Sequence, residues 1–94
     1  MPIVQIIDMP GAGVPEYEQA FAVIHPDGSW PAGQLDHIAG PTRDGFRVID
    51  VWESAEAFER FEQAVLAPLG FAGLPRDEFS VHNRWSAMSV ATLG

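Results

Sequence analysis

The sequence contains no cysteine and no lysine. Without cysteine there is no disulfide, no thiolate nucleophile and no thiolate-held zinc or iron–sulfur site. Without lysine, Schiff-base and pyridoxal chemistry lack their amine. The cations are five arginines, Arg43, Arg47, Arg60, Arg76 and Arg84, set against 13 acidic residues, for a net charge of −8. That balance excludes nucleic acid and anionic membranes as expected partners, because both demand clustered positive charge. No stretch approaches the ~20 apolar residues of a membrane span, and MPIVQIID has no basic region leading into an apolar run. The expected location is the cytoplasm. Phosphate-binding glycine motifs and the GxSxG elbow are absent too. The three histidines lie far apart in sequence, so no metal site is expected, although a set of His37, His82 and Asp50 is conceivable.

What is present describes one globular domain. The chain has 94 residues, 47% hydrophobic and 19% charged, which is foldable composition. A core of this size is modest, and a partner subunit would help it. Residues 3–9 (IVQIIDM) read as a strand that ends at Pro10–Gly11. Pro15, Glu16 and Glu18 suit the first turn of a helix, and Tyr17, Phe21 and Ile24 form its apolar stripe up to His25–Pro26. After a loop carrying Trp30, residues 34–40 and 45–53 read as a hairpin joined by PTRDG. Ser54 caps a second helix striped by Phe58, Phe61, Val65 and Leu69, which Pro68 and Gly70 close. Residues 77–85 read as a last strand, and 86–94 as a carboxy-terminal tail outside the domain of 1–85. The order β-α-β-β-α-β predicts an α+β, ferredoxin-like fold, a four-stranded antiparallel sheet with both helices on one face.

Pairing Gly40 with Gly45 sets a provisional hairpin register. Ile38, Ile49 and Val51 then share the face expected against the helices. The opposite face carries Leu35, His37, Phe46, Val48, Asp50 and Trp52. A carboxylate among such residues needs water or a partner, and His37 would be its diagonal cross-strand neighbour. A carboxylate orients an imidazole and equips it as a general base; the same pair can also be purely structural. A one-residue slip would move every one of these side chains to the other face. On the last strand, the phase decides whether His82 or Asn83 looks into the same cavity. Trp52 is either core or a platform for a ligand ring, and Trp30 either a lid or a packing plug. Tyr17 reads as core with its hydroxyl at an edge, and His25 as a capping or solvated residue at a helix end.

The run HIAGPTRDGFRVIDVWESAEAFERF (37–61), with the strand ending in VHN, resembles the dimeric α/β-barrel superfamily, and within it the small proteins grouped with the antibiotic-biosynthesis monooxygenases. The VWES-x-EAF junction is the closest match. The resemblance covers residues 3–85 and implies a homodimer packed sheet against sheet, with the face bearing Leu35, Val48 and Trp52 covered by the second copy. It also implies an enzyme of small aromatic or polyketide-like molecules, of cyclase, isomerase or cofactor-free monooxygenase type. In the haem-degrading members an Asn on the first strand and a His on the second helix accompany a Trp on the third strand. Here Trp52 matches, but Gln5 stands on the first strand and the second helix has no His, so haem degradation is not expected. The expected chemistry uses no bound cofactor. His37, oriented by Asp50, removes an acidic proton, with His82 beside it. Trp52, Phe46, Trp30 and Asn83 contact the ligand. The alternative is a non-catalytic dimeric ligand-binding or accessory domain.

Overall fold

A computed structural model describes residues 1–85. Its order is β1 (Ile3–Pro10), α1 (Val14–Ile24), a short 3₁₀ turn (Pro26–Gly28), β2 (Gln34–Pro41), β3 (Gly45–Trp52), α2 (Ala55–Phe61) and β4 (Asp77–Ser80). The four strands form one antiparallel sheet in the order β2-β3-β1-β4, which bears out the ferredoxin-like expectation. The tail 86–94 lies outside the described residues.

Local chemistry sets the boundaries. Glu16 accepts a hydrogen bond from the Gly13 N–H at 3.0 Å at the start of α1, and the Ser54 hydroxyl accepts from Ala57 N–H at 3.1 Å at the start of α2. Gly45 begins β3 where any side chain would strike the neighbouring strand, since a Cβ there would lie 2.3 Å from the Met9 carbonyl oxygen. α2 runs into a π-helical turn, Glu62–Leu66. That wider turn rotates the stripe, so Leu66 rather than Leu69 packs against Phe58 and Trp52; Leu69 is exposed.

The hairpin register differs from the expected one by two residues. His37 opposes Asp50 directly, and Pro41, not Ala39, opposes Phe46. A shift of two preserves the faces, so His37, Val48, Asp50 and Trp52 still point the same way. Leu35 does not join them. An irregularity between Gln34 and Asp36 places Gln34 opposite Trp52 instead.

The assignment of faces is reversed. The face bearing His37 and Asp50 is the one the helices cover. Phe46, Val48 and Trp52 on it are buried, whereas Ile38 on the other face is 62% exposed. The physical reason lies in the helices, whose inward stripe of Tyr17, Phe21, Phe58 and Phe61 matches the aromatic face, not the aliphatic one.

The last strand is shorter than expected. β4 stops at Ser80, the partner of Ile3. One more bond follows, from Val81 N–H to the Pro2 carbonyl at 2.9 Å, and there β1 ends. The core is built from Ile3, Trp52, Ala57 and Phe58, with Trp52 and Phe58 edge to face at 5.6 Å between centroids, an arrangement worth about 0.5–1.5 kcal/mol beyond burial.

Candidate active site

Between the sheet and the two helices lies a partly open cavity of about 130 Å³. Its floor is β1 and β3 (Ile7, Val48, Asp50, Trp52), its walls Tyr17 and Phe21 of α1 and Phe58 and Phe61 of α2. His25 and His37 both border it.

A chain of short hydrogen bonds crosses one wall. Asp50 Oδ1 lies 2.6 Å from His37 Nδ1, and His37 Nε2 lies 2.6 Å from the Tyr17 hydroxyl. The Gln34 amide donates to the same Asp50 oxygen at 2.9 Å. A carboxylate only accepts, so Nδ1 of the neutral ring carries the proton and Nε2 accepts from the Tyr17 O–H. The side chains of His37 and Asp50 are 17% and 14% exposed; each holds its geometry largely out of water. Tyr17 is fixed by ring packing: its ring stacks on Phe46 at 4.8 Å and lies 5.8 Å from Phe21. Burial, with Glu18 and Asp50 adding to it, pushes the Tyr17 hydroxyl above its ordinary value of 10.0. It therefore remains a protonated donor at neutral pH.

His25 sits where α1 ends. Its Nδ1–H donates to the Ser29 carbonyl at 3.1 Å, and its ring stacks on Phe61 with centroids 6.0 Å apart and an interplanar angle of 11°. Burial holds its imidazole below the usual 6.5; the nearby His37 acts in the same direction, and the Ser29 carbonyl and Asp50 oppose it.

Trp52 lines the cavity and is 1% exposed, yet its Nε1–H has no hydrogen-bond partner among the described residues. A buried donor left unpaired costs about 1–3 kcal/mol. At the opposite end Arg76 lies over the Phe58 ring, 4.6 Å from its centroid, with Glu78 3.6 Å away.

The structure thus joins His37, Asp50 and Trp52, and separates the other predicted site residues from them. Phe46 lies beneath Tyr17 as its support and does not line the cavity. Trp30 is 61% exposed, its indole N–H given to the Gln34 carbonyl at 2.7 Å. It does not line this cavity and so is neither its lid nor its plug. His82 and Asn83 are exposed, beyond the end of β4, and border nothing here. Tyr17, His25 and Gln34 enter the site although the sequence did not assign them to it. The signal for Tyr17 and His25 was their i, i+8 spacing with Phe21 between them, which puts Tyr17 and Phe21 on one side of α1 with His25 following as its cap. Among the described residues no group of three or more His, Asp or Glu side chains is gathered to hold a metal ion.

Comparison with solved structures places this architecture. The haem-degrading protein MhuD of Mycobacterium tuberculosis, in a haem-free form, superposes with a TM-score of 0.61 at 24% identity, covering 92% of this chain and 100% of that one. SnoaB, a cofactor-independent oxygenase from Streptomyces nogalater, superposes with a TM-score of 0.59 at 18% identity, over 88% of this chain and 93% of that one. This chain has their fold. The ferredoxin-like fold expected from the VWES-x-EAF resemblance therefore holds along nearly the whole length of the chain. No family model and no curated protein matches the sequence. Another MhuD structure, with a TM-score of 0.58 and 23% identity, holds two haems in its active site.

Proposed function

We propose that this protein is an enzyme that removes a proton from a small ring compound, a phenol or the enol of a 1,3-dicarbonyl. The observation that carries the proposal is the Asp50–His37–Tyr17 chain, which ends at an aromatic cavity. A ligand hydroxyl donates to the Tyr17 oxygen. As its proton passes to that oxygen, the proton of Tyr17 moves to His37 Nε2, and Asp50 stabilises the imidazolium that forms. The base the ligand meets is therefore Tyr17, with His37 behind it rather than in direct contact. Proton removal is a common first step of cyclisation, isomerisation and oxygenation of such molecules, the activities suggested by the sequence resemblance.

Volume narrows the substrate. A cavity of roughly 150 Å³ accommodates benzene, so 130 Å³ admits about one ring. A polycyclic or haem-sized molecule would need the helices to part.

The protein acts as a homodimer in this reading, joined through the open face of the sheet. That face presents Ile6, Ile38, Ile49, Val51 and Phe79, of which Ile38 and Phe79 are 62% and 53% exposed, an apolar patch that a second sheet would cover. The salt-bridged pairs Asp8–Arg47 and Asp36–Arg84 lie on the same face and would edge the contact.

The cavity volume also favours a second reading, because ligand pockets usually hold about 300 Å³ or more. In it, the same chain of hydrogen bonds only pins α1 to the sheet of a non-catalytic domain. Binding of 4-nitrophenol separates the two. The first reading predicts that bound 4-nitrophenol shows its phenolate absorption at a pH where the free phenol is neutral, and that His37→Ala abolishes the band. Absence of a phenolate band in the wild-type complex sinks the first reading.

A further inference from the structure

His25 and His37 meet at the cavity with ring centroids 6.3 Å apart. Of their four nitrogens, three are engaged: His37 Nδ1 with Asp50, His37 Nε2 with Tyr17, and His25 Nδ1 with the Ser29 carbonyl. Since a carbonyl can only accept, His25 Nδ1 bears the hydrogen and Nε2 keeps a lone pair. No group among the described residues hydrogen-bonds to that nitrogen. The ring is held in place, stacked on Phe61 and packed against Phe21 at 4.7 Å. Burial among these rings keeps it neutral near pH 7, so Nε2 remains an acceptor. Tyr17 and His25 both line the cavity, one on each side of Phe21, so two acceptor-bearing side chains stand along its wall.

We propose that the cavity selects a ring bearing two hydroxyl groups, one at Tyr17 and the second donating to His25 Nε2. This rests on reading the cavity as a ligand site and adds the substrate class, a dihydroxyaromatic or the matching enol of a cyclic dicarbonyl. His25 is then the residue that sets specificity. A methyl ether in place of the second hydroxyl has no hydrogen to give and leaves the lone pair facing another lone pair.

Calorimetric titration of the full chain with catechol, resorcinol, hydroquinone and their monomethyl ethers tests this. The preferred diol is expected to bind the wild type about tenfold more tightly than its monomethyl ether, the difference one hydrogen bond makes. In His25→Phe, which keeps the stacking on Phe21 and Phe61, the preference should fall to less than about twofold. His25→Gln, whose side-chain oxygen can accept, should restore part of it. Equal binding of diol and ether by the wild type overturns the inference, as does a preference that survives His25→Phe. If 4-nitrophenol ionises in the wild type while no diol is preferred, the substrate class fails alone. If neither 4-nitrophenol nor any diol binds, the ligand-site reading falls with it.

Discussion

His37 and Asp50 are register partners on β2 and β3, and their side chains close to 2.6 Å on the face of the sheet that the helices cover. That placement makes the imidazole a link between a carboxylate below and a helix hydroxyl above, and each property of the site follows from it.

Tyr17 is the only tyrosine in the chain, so alkaline difference spectroscopy reads it alone. Its midpoint should lie above 10.0 and fall in Asp50→Asn, which removes one of the charges that raise it. Folding favours the protonated phenol. The stability this confers is therefore complete below about pH 10 and is lost as pH climbs through the folded value. A midpoint at or below 10.0 contradicts the buried placement.

His25 behaves in the opposite sense. Because its folded value lies below 6.5, the neutral ring is the folded form. Its contribution is full above the unfolded value and declines as pH falls from about 6.5 through the folded value. Proton NMR of the His25 ring should show a midpoint below 6.5, and His25→Phe should flatten the stability profile over that interval.

Gly45→Ala should destabilise the protein by about 1–3 kcal/mol, because the new methyl group meets the Met9 carbonyl and forces β1 and β3 apart. Urea denaturation measures this. Gly40→Ala, one strand away with open space around its Cα, should change stability by less than about 0.5–1 kcal/mol.

On the open face, Ile38→Lys should convert a sedimenting dimer to a monomer while leaving the cavity intact, since residue 38 points away from it. A wild-type protein that sediments as a monomer, or an Ile38→Lys variant that remains dimeric, removes this face from the account.

The order of elements was legible because proline, glycine and serine punctuate it: Pro10–Gly11, His25–Pro26, Ser54 and Gly70 mark boundaries that the structure keeps to within a few residues. The pairing of His37 with Asp50 was legible as a shared face, since a two-residue error in register leaves alternation untouched. Which face the helices cover was not. Both faces carry apolar residues, and the decision rests on how helix rings fit sheet rings, a contact between segments distant in sequence. Tyr17 was missed as a partner of His37 for the same reason, 20 residues apart and on different layers. Trp30 and His82 were misplaced because nothing local shows where a loop turns its aromatic ring or where β4 loses its partner strand.

The account stands most directly on the protonation state of His37, which long-range proton–nitrogen NMR of the labelled imidazoles reports. At a pH where the free protein holds a neutral ring, Nδ1 should carry the hydrogen and Nε2 none. Addition of 4-nitrophenol should convert His37 to the imidazolium, protonated at both nitrogens, as the bound phenol ionises, and Asp50→Asn should prevent it. A hydrogen on Nε2 in the free protein, or nitrogen resonances of His37 that do not change when the phenol binds, would contradict the relay.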